Sequence, residues 1–239
     1  MIVQAQDDAS SISQLAAEYE TIAVEAQAHR WITTLQGAGL TNGQLDTLVE
    51  AESFGVLSAE LRRLEAGGHR VDQLLTTVAR AGRLDDVEDL GSLLRYRITR
   101  LASQYQPAPR RRPGLIAGLI PRAQGVTRPD DQHALDERER LIEQRATAVL
   151  TRATTEHEPW LEPFSSLLDQ DDTAQALRVV AAYRDRWRIT SLEPLGPEPD
   201  NDAQRIDYQR AHARLDQLHT EHERGIPARP GPGRAAPSL

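Results

Sequence analysis

Five arginines in residues 106–128 (Arg110, Arg111, Arg112, Arg122 and Arg128) are the residues best placed to do chemistry. That chemistry is contact with phosphate, because a guanidinium offers a planar fork of donors that matches it. No acid interrupts the stretch, so its net charge is +5. Residues 1–105 carry 9 Arg against 15 Asp+Glu, and residues 129–239 carry 14 Arg against 21 Asp+Glu. A basic segment therefore separates two acidic halves, within a chain whose formal charge is −8. Phosphate contacts by such a segment position a nucleic acid without reading its sequence. Arg95, Arg97 and Arg100, just upstream, extend the patch. Tyr183 and Trp187, in the run YRDRW, set aromatic rings beside arginines. They suit stacking on a single-stranded base. Their i, i+4 spacing on an apolar stripe suits a core better.

Other chemistries find less support. His212, His219 and His222 lie on one prospective helix, but seven residues separate the first two. At 1.5 Å per residue that is about 10 Å, too far to share one ion. No metal or other cofactor is expected. The paired acids Asp7-Asp8, Asp130-Asp131 and Asp171-Asp172 sit where helices should begin, where capping and the macrodipole account for them. The chain has no lysine, so it lacks the lysine of a phosphate-binding P-loop, and no nucleophile elbow or zinc-protease motif is present. The expectation is a non-enzyme. All 28 basic residues being arginine fits either codon bias in a GC-rich genome or selection for phosphate forks.

The elements that would carry these residues are helical. Hydrophobic residues make up 39% of the chain and aromatics 4%, so the core must be lean and aliphatic. Residues 1–106 hold no proline, and the remainder holds all 14. That shift sets the domain boundary. In the first part, Ser11 with Gln14 and Thr41 with Gln44 look like capping boxes. Helices are expected from Ser11 to Gly37 or Gly39, from Thr41, over residues 54–66 and 71–81, and from a cap at Asp85 or Asp86. On the last, Val87, Leu90, Leu94, Ile98 and Leu101 form one stripe.

Beyond the prolines, residues 115–120 (LIAGLI) read as an apolar plug against one half. A long helix from Pro129 or Asp130 alternates Glu137, Glu139 and Glu143 with Arg138, Arg140 and Arg145, the pattern of a solvated helix laced with its own ion pairs. Trp160, Leu161, Phe164, Leu167 and Leu168 form an apolar satellite. A helix capped by Asp171 or Asp172 and a last helix over residues 202–224 follow.

The expected architecture is all-α. Residues 1–105 form an antiparallel bundle, 106–128 a basic proline-rich hinge, 129–224 an elongated helical region and 225–239 a disordered tail. No sequence period of 20–50 residues and no strand-like alternation is visible. The absence of cysteine fits a reducing cytoplasm, and no apolar run is long enough for membrane insertion. Residues 1–11 lack the pattern of a secretory signal.

Five stretches carry a family resemblance: AESFGVLSAELRRLEAGGHRVDQLL (51–75), RLDDVEDLGSLLRYRI (83–98), LIAGLIPRAQGV (115–126), ERERLIEQRA (137–146) and VVAAYRDRWRI (179–189). In this order they resemble the C-terminal region of actinobacterial conjugative relaxases of the MobF (TrwC/TraA-like) class, over about residues 25–215. In that family the region follows a DNA-nicking domain and a helicase-like domain. No position here matches the family's catalytic tyrosine, three-histidine metal cluster or phosphate loop. The resemblance thus implies a non-catalytic accessory module of conjugative DNA transfer. Its protein partner would be the relaxase and helicase domains or the transfer machinery. Two alternatives stand beside it. One is a DNA-binding accessory protein working through Arg110, Arg111, Arg112, Arg122 and Arg128. The other is a stand-alone helical scaffold.

Overall fold

The computed structural model describes residues 11–105 apart from 83, 85 and 86, and residues 114–225 apart from 169; the side chains of 166, 219 and 221–225 are not included. The expected caps Asp85 and Asp86, the acid pair Asp7-Asp8, the histidine side chains of 219 and 222, and residues 226–239 of the expected tail lie outside the described residues.

The described chain is helical, as the sequence predicts. Its elements are α1 (Ile12–Ala38), α2 (Asn42–Glu50), α3 (Glu52–Ala66), α4 (Val71–Arg80), α5 (Leu90–Ala102), a hairpin of β1 (Leu115–Ile116) and β2 (Ile120–Pro121), α6 (Pro129–Thr155), a 3-10 segment (Pro159–Leu167), α7 (Asp171–Trp187) and α8 (Asp202–Gly225).

Local chemistry sets the helix ends. The Ser11 hydroxyl accepts from the Gln14 amide at 3.3 Å, and Gly39, at φ 109°, ends α1 in a left-handed turn. At α2 the expected box is complete: Gln44 N donates to Thr41 Oγ1 at 3.3 Å and Thr41 N donates to Gln44 Oε1 at 2.9 Å. Two expected caps are corrected. Helix α5 starts later, where Asp89 accepts from the Ser92 amide at 3.0 Å. Helix α7 begins after Gln170, so Asp171 and Asp172 lie in its first turn and act there through the helix dipole.

The buried residues divide into two cores, and the division does not fall at residue 105. One core joins Ile12, Leu15, Ala16, Tyr19, Ala23 and Ala26 of α1 to the hairpin, α6, the 3-10 segment, α7 and α8. We call this the carboxyl lobe. The other joins Trp31 and Leu35 of α1 to α2–α5 and forms the amino lobe. Helix α1 is thus a spine common to both lobes, and its front half leaves the expected amino-terminal bundle. The reason is geometric. Buried residues at Tyr19, Ala23, Gln27, Trp31 and Leu35 recur every four residues. Each step advances 400°, so the buried stripe turns by about 40° per step and ends roughly 160° from where it began. One face then meets one set of helices and another face a second set.

The apolar plug expected at LIAGLI is present. Ile116, Ala117, Leu119 and Ile120 are fully buried in the carboxyl lobe. It folds as a small hairpin that the sequence reading, finding no strand pattern, does not anticipate. Ala117 and Gly118 have φ of 48° and 73°, and Leu119 N donates to Ile116 O at 3.0 Å. Successive positive φ values are those of a type I′ turn. A Cβ on Gly118 would lie 2.4 Å from Val179 Cγ2, so only glycine fits.

The charges of α6 also depart from expectation. Most of them reach across the fold, although Arg138 also meets Glu137 of its own helix at 3.3 Å. Arg138 pairs with Glu18 of α1 at 2.8 Å and Arg145 with Asp185 of α7 at 2.7 Å. Glu139 pairs with Arg122, and Glu143 pairs with Arg178 while accepting from Ala117 N at 2.8 Å. Asp185 also accepts from the Ile12 amide at 2.8 Å, a free donor at the start of α1.

The proline-containing connection after α7 is held by one buried side chain. Arg184, stacked 5.0 Å over Trp160, donates to the carbonyls of Ser191, Glu193 and Pro194 at 2.9–3.1 Å. Burial pushes the Arg184 guanidinium below its ordinary value.

Candidate nucleic-acid interface

Two of the five hinge arginines are described, and each has a carboxylate neighbour. Arg122 leaves the hairpin, where its amide donates to Gly114 O at 3.1 Å, and its guanidinium pairs with Glu139. Arg128 stands at the entry to α6, largely exposed, with Nε 3.6 Å from Asp131. Both charges are offset before any ligand arrives. Arg110, Arg111 and Arg112 lie outside the described residues.

The aromatic candidates belong to the core. Tyr183 is fully buried, its hydroxyl accepts from Gln204 at 3.1 Å, and its ring meets Tyr208 edge-on at 6.1 Å. Trp187 donates to Asp207 at 3.0 Å. Asp207 also meets Arg186 at 3.2 Å and Arg210 at 3.3 Å. Burial pushes its carboxyl up, against the pull of those arginines and of the Trp187 N–H. These groups tie α8 to α7 and present no open ring to a base. His212 pairs with Asp216 at 2.9 Å. Among the described residues no cluster of three or more His, Asp or Glu could hold a metal.

The arginines of α5 have a different setting. Two depressions of about 270 and 340 Å³ meet at Thr77 and Leu101 between α4 and α5. Together they make one groove. Arg70, His69 and Tyr105 line one end, and Tyr96, Arg97 and Arg100 line the other. Among the described residues, no carboxylate lines either part. Tyr96 is 63% exposed and Tyr105 57%. Arg97 donates to the Val78 carbonyl at 3.3 Å and Arg70 to Gln73 at 3.4 Å. Among the described residues, no carboxylate forms an ion pair with Arg70, Arg97 or Arg100. Glu65 and Asp72, which share a neighbouring depression with His69 and Arg70, are both bound by Arg30, at 2.8 and 2.7 Å. On the far side of α5, Glu60 is engaged by Arg63 at 2.5 Å and by Thr99 at 3.1 Å. Burial opposes its ionisation, but the Arg63 fork outweighs burial and holds the carboxyl below its ordinary value.

The depression between α2 and the start of α5 has the opposite character. Glu52, Glu88 and Asp89 line it. Hydrogen bonds, led by that from the Ser92 amide, hold the Asp89 carboxyl down at about 2.

Sequence reasoning finds Arg95, Arg97 and Arg100 but misses Tyr96, Tyr105 and Arg70. One signal was present. Tyr96 follows Leu94 by two residues, so it sits roughly 160° round the helix from the buried stripe. A tyrosine so placed, between arginines, must face outward. Nothing comparable marks Arg70, which reaches the groove only because the turn after α3 brings it beside the end of α5.

No protein-family model, curated protein or solved structure matches the chain.

Proposed function

We propose that the chain is a non-catalytic interaction module of conjugative DNA transfer. In this reading it docks the relaxase and helicase domains or the transfer machinery. The observation that supports it is where the five resembling stretches lie. Each one supplies core residues. The stretch 51–75 gives Phe54, Leu57, Leu61, Leu64 and Val71, and 83–98 gives Leu90, Leu94 and Ile98. The stretch 115–126 gives Ile116, Leu119 and Ile120, 137–146 gives Ile142 and Ala146, and 179–189 gives Val179, Val180 and Tyr183. Two lobes strung on one helix of about 40 Å suit a spacer that presents surfaces to larger partners.

The test is co-purification of the tagged chain with the separated nicking and helicase-like domains of a MobF-class relaxase from the same genome. Retention of either domain through a salt wash is expected. Failure of both domains to bind, with the chain folded by circular dichroism, would overturn the reading.

A further inference from the structure

We propose that the groove between α4 and α5 binds single-stranded nucleic acid, with Tyr96 and Tyr105 stacking bases and Arg70, Arg97 and Arg100 holding phosphates. This inference stands apart from the docking reading, since it rests on the groove alone. Charge complementarity selects the occupant. Among the described residues no acid lines the groove, although the chain as a whole is at −8. Arg70, Arg97 and Arg100 have no carboxylate partner among the described residues, in contrast to Arg138, Arg145, Arg178 and Arg186 of the carboxyl lobe. A channel lined by three arginines without a paired acid in its described lining favours a polyanion.

The aromatics narrow the class further. Two exposed tyrosines flank the basic channel, one at each part of the groove. A tyrosine hydroxyl can donate to a phosphate, but the ring that carries it adds nothing further to that contact. The ring does offer a face to an unpaired base, and such stacking tolerates any sequence. In duplex nucleic acid the base faces are occupied by neighbouring bases, so the rings would contribute nothing there. From Tyr96 to its last residue, Ala102, α5 rises about 9 Å, and Tyr105 follows three residues on, so the two rings bracket only a few base steps at about 3.4 Å each. The site is therefore short, within the range of a single stacking platform.

The test is fluorescence anisotropy of labelled oligothymidine and oligouridine with the full chain, at low and near-physiological salt. Binding is expected at low salt and is expected to weaken steeply as salt rises. Tyr96→Ala and Tyr105→Ala are each expected to weaken it by at least about fivefold, the lower end of what stacking on one base contributes. Tyr96→Phe and Tyr105→Phe keep the ring face and are expected to retain binding. All four variants change one of two exposed side chains, and matching thermal melts would confirm that the fold is intact. Replacing Arg110, Arg111 and Arg112 by Gln together serves as the control for hinge contacts. Binding that vanishes in that triple variant yet ignores both tyrosine-to-alanine changes would overturn the proposal. So would equal affinity for duplex DNA, equal competition by polyglutamate, or no binding at low salt. A preference between the two oligomers would identify DNA or RNA as the source of the strand. Because the relaxase domains play no part in this assay, its failure leaves the docking reading untouched, and the reverse also holds.

Discussion

The two lobes use the same residue, arginine, in opposite ways. In the carboxyl lobe Arg138, Arg145, Arg178 and Arg186 each cross from one element to another to meet Glu18, Asp185, Glu143 and Asp207. In the amino lobe Arg30 does the same with Glu65 and Asp72, but Arg70, Arg97 and Arg100 meet no carboxylate among the described residues. The carboxyl lobe needs these pairs. Its helices are strongly polar, and α6 buries only Leu135, Ile142, Ala146, Val149 and Ala153 over 27 residues. The amino lobe packs a leucine-rich core over shorter helices and can leave charge on its surface. The comparison teaches that arginine count alone carries little functional meaning here. What separates a structural arginine from one available to a ligand is the presence of an acid within reach.

The largest effect should come from breaking a carboxyl-lobe pair. Asp185 is 8% exposed and holds both Arg145 and the Ile12 amide. Asp185→Ala is expected to cost about 3–5 kcal/mol, because it removes the carboxylate that the part-buried Arg145 guanidinium and the Ile12 amide both use. Arg100→Ala in the amino lobe is expected to stay within about 0.5 kcal/mol, as an unpaired surface change. Urea unfolding of both variants measures the contrast, and similar losses would dissolve it. A smaller effect is expected at the hairpin. Gly118→Ala forces a methyl to 2.4 Å from Val179 at a positive φ. The loss should be about 2–4 kcal/mol, from overpacking and left-handed strain together. Adding Val179→Ala would recover only the overpacking part, so a full rescue would show that φ carries no cost here.

How much of this was legible in the sequence depends on whether the cause was local. The caps at Ser11 and Thr41, the stops at Gly39 and Gly67, and the buried stripe of α5 were readable, because each is set within one turn of chain. The division of α1 between two cores was not. A stripe that winds round a helix weakens the very periodicity by which a buried face is recognised. The α6 charges misled for a related reason. Glu139 and Glu143 sit where partners along the same helix are available, and only the tertiary fold shows that Arg122 and Arg178 lie closer at hand. The YRDRW rings show the same limit, since core and base-stacking readings share one spacing. For the groove, the arginines of α5 were visible as residues, but their lack of acidic neighbours is a property of three dimensions.

Capping in the amino lobe provides the next effect in size. The Thr41–Gln44 box satisfies donors at the start of α2, and Thr41→Ala is expected to cost about 1 kcal/mol. That corresponds to a fall of about 2–4 °C in Tm for a protein of this length, measurable by differential scanning calorimetry. The wound stripe of α1 makes the lobes share a spine, so the melt should shift as a single transition. A split transition would mean that the two cores unfold independently despite α1.

The smallest effect is electrostatic and appears only in acid. Asp89 caps α5 and lines the acidic depression, and its carboxyl is held at about 2 in the folded protein against 3.8 for the unperturbed group. The folded value is the lower one, so the charged cap stabilises the fold above pH ~4, and this contribution is lost as pH falls towards ~2. Asp89→Asn keeps an oxygen able to accept from Ser92 but removes the charge, leaving the cap and deleting its titration. The Tm gap between the natural protein and this variant should therefore be constant from pH 7 to about 5 and close between about 4 and 2. The group is solvent-exposed and the gap should be small, so low ionic strength gives the clearest reading. A gap that persists unchanged at pH 2 would show that the variant disturbs the turn before α5 rather than its charge. The acidic depression would then owe its sign to sequence composition and not to a held carboxylate, which would remove one side of its contrast with the basic groove on the other flank of α5.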